Sequence, residues 1–147
     1  MIVAIGCDHG GFILKAEILE YLKANNHEII DFGINKNQAV DYPDFGLAVA
    51  ECVAQGKADR GILMCGTGIG ISIAANKIKG IRCALLSDTF SAKATREHND
   101  ANVMAMGGRV IGAGLAADIV DMFLNTSFSG DDRHKRRIDK ITAIENT

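Results

Sequence analysis

The sequence predicts an α/β protein built on a parallel sheet of five strands, with helices covering both faces. Two observations carry this prediction. Short apolar runs alternate along the chain with segments whose apolar residues recur at helical spacing, which is typical of β-α-β units. The runs are also largely apolar throughout, as expected for parallel strands that are buried on both faces.

The first half of the chain is predicted to hold two strands and two helices. The glycine pair Gly10–Gly11 separates the first strand from a helix whose apolar residues follow i, i+4, i+7, i+8 spacing from Leu14. Gly56 ends the second helix, and the only proline, Pro43, lies in the polar loop before it. In order, the predicted elements are a strand at Ile2–Gly6, the helix through Leu22, a strand at Glu28–Phe32, a loop from Asn35 to Asp44 and a helix at Phe45–Gln55.

The second half continues the alternation and ends in a strongly basic helix. The predicted strands are Arg60–Cys65, Arg82–Leu86 and Val103–Met106, and the predicted helices are Gly68–Ile78, Thr89–His98, a stripe from Leu115 to Phe123, and Asp131–Ile144. No repeat, linker or low-complexity segment interrupts this order. We therefore expect one domain over residues 1–147.

Composition limits the classes of function. The 147 residues are 48% apolar with a net charge of −2, which favours a folded protein without bulk attraction to nucleic acid or a membrane surface. No apolar run approaches the ~20 residues of a membrane span. The first residues lack the basic start and long apolar core of a signal peptide, so we expect a cytoplasmic location. The four cysteines lack Cys-x-x-Cys spacing, which predicts free thiols.

The segment from Cys65 to Ile71 is the most informative motif. A thiol ends a predicted strand, and a glycine-rich turn leads from it into a helix. Glycine lets a ligand approach the backbone, and a helix N-terminus presents free N–H groups with partial positive charge. The same surroundings stabilise a thiolate, which could act as a nucleophile or a general base. The motif therefore predicts an anion site beside Cys65.

Other interpretations of this motif are open. A dinucleotide fingerprint needs G-x-G-x-x-G, usually after the first strand, but here G-x-G-x-G follows the third. A phosphate loop would need Gly-Lys-Ser/Thr, which is missing. A tight turn without a ligand, with Cys65 as a buried packing residue, fits the spacing. A zinc site built from Cys7, His9, Cys65 and His98 is a further alternative, without the paired short spacings of structural sites.

Two histidines stand next to polar partners near strand ends. Asp8 and His9 follow the first strand, whereas His98 and Asn99 precede the fifth. Ligands of parallel sheets bind beyond the carboxyl ends of the strands. We therefore expect both histidines to lie at one edge of the sheet near Cys65, where an imidazole could transfer protons.

The last helix carries two arginines on one face. Arg133 and Arg137 are four residues apart, and Arg109 follows Gly107–Gly108 elsewhere in the chain. A basic run is usually a solvated face, which is the default interpretation. Paired arginines also bind phosphate bidentately, so spacing alone leaves both roles open.

As a set, these motifs resemble the type B ribose-5-phosphate isomerases, in the family shared with galactose-6-phosphate isomerase subunits. The resemblance covers essentially the whole chain. The matching segments are, in order, Gly6–Gly11, Asp41–Pro43, Cys65–Ser72, His98–Asp100, Gly107–Val110 and Arg133–Arg137.

The resemblance implies a Rossmann-like three-layer α/β/α sandwich with five parallel strands. It implies a homodimer with active sites at the subunit interface, sometimes paired into tetramers, and no metal or organic cofactor. The implied reaction is the reversible conversion of ribose 5-phosphate to ribulose 5-phosphate in the non-oxidative pentose phosphate pathway.

The resemblance also implies roles for single residues. Cys65 would move the proton between C1 and C2, since Ile71 stands where one branch of the family has a glutamate. His98 would be the acid that assists opening of the furanose ring, and the Thr67 hydroxyl would lie beside the enediolate. The implied sugar contacts are Asp8, His9, Tyr42, Gly66, Thr67, Gly68, Ile69, Gly70 and Asn99, and the implied phosphate clamp is Arg109, Arg133 and Arg137.

Alternative functions come from three classes. The closest is an isomerase of a six-carbon aldose 6-phosphate, such as allose or galactose 6-phosphate. A non-catalytic module that binds a sugar phosphate or nucleotide would bind without exchanging the proton at C2. A redox-sensing thiol protein would react rapidly with peroxide at Cys65.

Overall fold

A single parallel sheet of five strands forms the centre of the computed structural model, which describes residues 1–147. The strand order is β2-β1-β3-β5-β4. The strands are β1 (Ile2–Cys7), β2 (Glu28–Asp31), β3 (Arg60–Cys65), β4 (Cys83–Leu85) and β5 (Val103–Gly107). The predicted α/β class and the five parallel strands are confirmed.

Six helices cover the sheet in two layers. They are α1 (Phe12–Ala24), α2 (Tyr42–Ala54), α3 (Ile69–Ala75), α4 (Thr89–Asn99), α5 (Ala113–Asn125) and α6 (Asp132–Ile144). Helices α1, α4 and α5 pack on one face, and α2 and α3 pack on the other. Helix α6 lies outside these layers against α4. None of the six is long and apolar enough to span a membrane.

Alternation along the strands assigns each side chain to one of two cores. Ile62 and Met64 of β3 belong to the core under α1 and α5, whereas Leu63 and Cys65 belong to the core under α2 and α3. Cys7 of β1 lies in the first core. The two cysteines that end neighbouring strands therefore point to opposite faces of the sheet.

Two helix boundaries differ from the sequence prediction by three residues. Helix α2 begins at Tyr42 rather than Phe45, because Pro43 stands in its first turn, where a missing N–H and a fixed φ are favourable. Helix α3 ends at Ala75 rather than Ile78. The Asn76 side chain there exchanges two hydrogen bonds of 2.8 Å with the backbone of Cys83 and ties the helix end to β4.

Candidate active site

The strand order of the sheet reverses between β1 and β3, and a crevice lies beyond the carboxyl ends of these two strands. From β1 the sheet extends to β2 on one side and to β3 on the other. Such a switch point is the usual ligand site of open parallel sheets. It lies between the segment that follows Cys7 and the segment that follows Cys65, which are brought together by the pairing of Cys7 with Met64.

The Cys65 thiol lies at the floor of this crevice. The residue is only 4% exposed, and its Sγ accepts a hydrogen bond of 3.1 Å from the Gly68 N–H. This backbone donor fixes the position of the sulfur at the start of the glycine-rich loop. Gly68 has φ +78°, and a Cβ there would lie 2.6 Å from Leu85. Only glycine brings this donor to the sulfur without strain.

Backbone N–H groups with no acceptor in the chain stand next to the thiol. The amides of Gly66 and Thr67 donate to no group of the chain, while Ile69 N–H donates to Thr67 Oγ1 at 3.2 Å. Thr67 is exposed, so this part of the loop, which enters α3 at Ile69, is open to a ligand. The loop can therefore accept an anion beside the sulfur.

Neighbouring loops hold this loop by backbone contacts. Gly108 N–H donates to the Cys65 carbonyl at 2.8 Å, and Arg109 N–H donates to the Gly66 carbonyl at 3.0 Å. A Cβ on Gly10 would lie 2.5 Å from the Gly66 nitrogen, so the two backbone segments touch directly. The Arg109 guanidinium lies beside Gly66, which places one of the three predicted arginines at this edge.

Three more predicted residues join the crevice. Asp8 is buried, and its Oδ1 accepts hydrogen bonds from Gly10 N–H at 2.8 Å and Gly11 N–H at 3.3 Å. His9 Nδ1 accepts a hydrogen bond from Val40 N–H at 3.4 Å, so the neutral ring carries its proton on Nε2. The half-exposed ring of Tyr42 packs against Gly70.

Cys7 lies in surroundings that differ from those of Cys65. Burial raises the pKa of Cys7 to about 11, and the Lys15 cation only partly opposes this effect. Burial likewise raises the pKa of Cys83 to about 12. All four cysteines are free thiols, as predicted. Cys65 is therefore the cysteine that combines a crevice position with a backbone donor.

The structure places His98 and Asn99 at the opposite edge of the sheet, so the prediction that both histidines lie near Cys65 is wrong within one chain. Helix α4 runs back from the carboxyl end of β4 toward the amino edge of the sheet. Its last turn lies beside Arg82, the residue before β4. The Nε of Arg82 donates a hydrogen bond of 2.8 Å to the Asn99 carbonyl. Cys65 is paired with Gly107, at the far end of β5. Four residue steps along β5 separate the two edges by about 13 Å.

His98 lies against the start of α6. Its ring stacks on the ring of His134 with centroids 4.5 Å apart and planes 13° from parallel. Burial lowers the pKa of His134, and the charges of His98 and Arg133 lower it further. Arg133 and Arg137 are exposed on the same helix. They therefore share an edge with His98, and Arg109 is separated from them.

The zinc alternative finds no geometric support. No group of three or more His, Cys, Asp or Glu side chains is placed to hold a metal ion. The reason is the topology described above, since His98 lies at one edge, and Cys7 and Cys65 point to opposite faces at the other.

Two features of the site were not anticipated from the sequence. Sequence spacing gave no sign that His134 stacks on His98, because the two rings are brought together by packing of α6 on α4. The ion pairs that join Asp100 to Arg82 and Arg96 were also missed. The spacing of Arg96 and Asp100, four residues apart at a helix end, is the one signal that could have indicated an ion pair.

Comparisons with known proteins agree with this architecture. The model of the family described as Ribose/Galactose Isomerase matches residues 3–141. The chain is 51% identical to ribose-5-phosphate isomerase B of Escherichia coli strain K12, over 97% of this chain and 95% of that protein.

Two solved structures are also similar. That of Clostridium thermocellum ribose-5-phosphate isomerase B has a TM-score of 0.97 and 55% identity, covering 99% of this chain and 98% of that one. That of ribose-5-phosphate isomerase B from Mycoplasma genitalium, with bound ribulose 5-phosphate, has a TM-score of 0.94 and 42% identity, covering 99% and 96%. This chain, with its cysteine-glycine loop at the switch point of a five-stranded parallel sheet, belongs to the ribose/galactose isomerase family.

Proposed function

We propose that this chain catalyses the reversible isomerisation of D-ribose 5-phosphate and D-ribulose 5-phosphate through an enediolate, in the non-oxidative pentose phosphate pathway. The observation that carries the proposal is the Cys65 thiol, which accepts a hydrogen bond from Gly68 N–H beside the free amides of Gly66 and Thr67. Relatives that share the fold and about half of the residues are named for this activity, and one of them holds ribulose 5-phosphate.

Cys65 acts as the general base. Its thiolate takes the proton from C2 of the open-chain aldose and returns a proton to C1, while the hydroxyl proton passes from O2 to O1, so that C2 is oxidised while C1 is reduced. Negative charge develops on the substrate oxygen during this transfer. The N–H groups of Gly66 and Thr67, which have no acceptor within the chain, donate to that oxygen in this proposal. Preorganised donors act most strongly on charge that develops in the transition state.

The crevice walls orient the sugar. His9 presents Nε2–H, and the Tyr42 ring next to Gly70 bounds the site. The buried carboxylate of Asp8 keeps the turn before α1 in place through Gly10 and Gly11. Contacts of this kind to parts of the substrate that do not react can position the carbon against the thiolate.

A second copy of the chain completes the site. If His98 is the acid that opens the furanose ring, it must approach the same five-carbon substrate as Cys65, yet one chain holds the two residues about 13 Å apart or more. A homodimer with two-fold symmetry solves this by placing the partner's α4 end at each crevice, in both directions at once. The acid, Asn99 and the arginines of α6 then come from the partner, and Arg109 comes from the chain that supplies Cys65.

Exposed apolar side chains around the crevice support such an interface. Ile69 and Ile73 of α3 are 52% and 55% exposed, and Leu85 on the edge strand is 46% exposed. Phe90, at the start of α4, is 80% exposed. Side chains of this size grouped at one edge indicate a surface that another protein covers.

Mixing two inactive variants tests this arrangement. Cys65→Ala and His98→Asn are each purified, unfolded together and refolded. Mixed dimers then contain one intact site, built from Cys65 of one chain and His98 of the other, and random pairing returns about a quarter of the activity of the unmutated protein. A mixture that stays inactive although mixed dimers form would place both residues in one protomer and contradict the shared site.

A parallel assay tests the substrate. The purified chain is given ribose 5-phosphate and the six-carbon aldoses allose and galactose 6-phosphate, and we expect the highest kcat/KM with ribose 5-phosphate. Preference for a six-carbon sugar would favour the alternative isomerase. Binding without uptake of solvent deuterium at C2 would indicate a binding module, and rapid peroxide reaction at Cys65 without isomerisation would indicate a redox sensor. A cytoplasmic location and assembly into tetramers stay predictions.

A further inference from the structure

The turn after α4 has an unusual backbone. Asp100 follows Asn99 and has φ +45° and ψ +44°. These angles lie in the left-handed region, where residues other than glycine are disfavoured. Only Asn26 shares a positive φ among the residues other than glycine. Surrounding contacts must hold such a residue in place.

Two arginines form ion pairs with Asp100 and hold this turn in place. Oδ1 of Asp100 pairs with Nη1 of Arg96 at 2.8 Å, and Oδ2 approaches Nη2 of Arg82 at 3.4 Å. Arg82 also donates from Nε to the Asn99 carbonyl and from Nη2 to the Asp100 carbonyl, both at 2.8 Å. Arg96 donates to the carbonyls of Ala101 and Thr126. The carboxylate thus links the two guanidinium groups, and both also bind the backbone around it.

The surroundings of Arg96 make this link rigid. Arg96 is 2% exposed, and its guanidinium lies 5.8 Å from the centre of the Phe123 ring. Burial lowers the pKa of Arg96, and the charge of Asp100 opposes the effect. A buried cation requires a fixed counter-charge, so Asp100 cannot swing away without leaving Arg96 unpaired.

We propose that Asp100 is a positioning residue, which bridges Arg82 and Arg96 and thereby fixes the direction of His98 toward the crevice of a second copy. The inference rests on the proposed function. His98 itself is exposed and is constrained only by its helix and by the stack on His134. The turn sets where the helix ends, and with it the angle of the imidazole.

Three variants distinguish the effect of the Asp100 ion pairs from the effect of the left-handed backbone at this residue. Asp100→Asn keeps the shape but removes the charge, Asp100→Gly removes the backbone strain together with the bridge, and Arg82→Met removes one guanidinium from a half-buried position. Lys93→Met is the matched control, since Lys93 is a cation of the same helix in an exposed ion pair of 3.7 Å with Glu97.

Two rates measured in each variant distinguish positioning from general damage. Ribose 5-phosphate is largely cyclic, whereas ribulose 5-phosphate cannot form a furanose because its C5 oxygen carries the phosphate. Exchange of solvent deuterium into ribulose 5-phosphate therefore reports proton transfer without ring opening. We expect each of the three variants to lose about tenfold more kcat on ribose 5-phosphate than in deuterium exchange, since acid catalysis is the step affected. Lys93→Met should lose neither.

Equal losses in the two rates, or unchanged rates in Asp100→Gly, would overturn the proposal. Failure of the proposed function would be visible separately, because the unmutated chain would then not interconvert the two sugar phosphates. In that case the imidazole proton resonances of His98 test whether the bridge orients the ring. The ring current of His134 shifts these resonances, so they report the position of one ring relative to the other. They must move in Asp100→Asn and Arg82→Met and stay unchanged in Lys93→Met, and resonances that do not move would refute the bridge as a positioning device.

Discussion

The two proposed proton-transfer groups lie at the end of β3 and in the last turn of α4, and the loop after β3 and the turn after α4 are held in opposite ways. The loop is fixed by backbone contacts, from Gly68 N–H to the Cys65 sulfur and from Gly108 N–H to the Cys65 carbonyl. The turn is fixed by charged side chains, with Arg82 and Arg96 converging on Asp100. One region depends on the absence of side chains, and the other depends on their presence.

This difference matches the chemistry assigned to each region. A developing enediolate needs donors that do not reorganise, and amides anchored on a sheet have no side-chain freedom to lose. The proposed ring-opening acid needs reach, because in the proposed dimer it serves a crevice in another copy of the chain. An imidazole at a helix end, oriented by ion pairs, provides that reach. Changes to the loop should therefore abolish proton transfer at carbon, and changes to the turn should affect ring opening.

Loss of the thiol is the largest expected effect. Cys65→Ala should lower kcat for ribose 5-phosphate by about 10³-fold or more, since no other base lies at the Gly68 donor. Cys7→Ala is the matched control, because Cys7 also ends a strand but is buried in the other core with a raised pKa. Its kcat should stay within a few-fold of the unmutated value. Steady-state kinetics with circular dichroism measures both, and near-normal turnover of Cys65→Ala would remove the proposed base.

Distortion of the loop should come next. In Gly68→Ala the new Cβ meets Leu85 and the Met106 backbone at a φ of +78°, so the donor to the sulfur must shift, and we expect kcat to fall by about 10²-fold. Gly56→Ala is the control for backbone strain alone. Gly56 has φ +70° but no atoms near a new Cβ, so that variant should lose about 1 kcal/mol of stability and keep its kcat. Equal kcat values in the two variants would show that loop geometry is not limiting.

The part of the site at the carboxyl edge could be predicted from the sequence. Asp8 and His9 follow β1 directly, and Cys65 is the last residue of β3. Parallel strands bring their carboxyl ends together whatever the rest of the chain does. The strands themselves were recognisable because their apolar runs are short and bounded by glycine.

The position of His98 could not be predicted in the same way. A residue before a strand lies at the amino edge, and nearness in sequence to β5 says nothing about nearness to Cys65 across the sheet. The stack of His98 on His134 depends on how α6 packs on α4, which no local pattern in the sequence specifies. Packing of this kind is settled only in the folded chain and, for the complete site, in the proposed dimer.

The arginines of α6 provide a smaller effect that separates binding from chemistry. Arg137→Ala should raise KM for ribose 5-phosphate by about 10- to 100-fold with a minor change in kcat, as expected for loss of a charge-assisted hydrogen bond of about 1.5–3 kcal/mol to phosphate. Lys135→Ala is the control from the same helix, since Lys135 is an exposed cation two residues from both Arg133 and Arg137 and therefore lies off the face that they share. An unchanged KM in Arg137→Ala, or equal changes in both variants, would argue against a specific clamp.

The two ends of α4 give the smallest and sharpest contrast. Asp88 caps the start of the helix, and its Oδ1 accepts a hydrogen bond of 2.7 Å from Ser91 N–H, which lowers the pKa of the Asp88 carboxyl below its ordinary 3.8. A lowered pKa in the folded state adds stability above the ordinary pKa, and that stability is lost as the pH falls through the folded value. Asp88→Ala should therefore lower Tm slightly near neutral pH, and the difference from the unmutated protein should vanish in acid.

The kcat of Asp88→Ala should stay unchanged, because the cap holds only the first turn, whereas Asp100→Asn at the other end should reduce ring opening. A loss of ring opening in Asp88→Ala equal to that in Asp100→Asn would mean that the whole helix, rather than its final turn, sets the direction of His98.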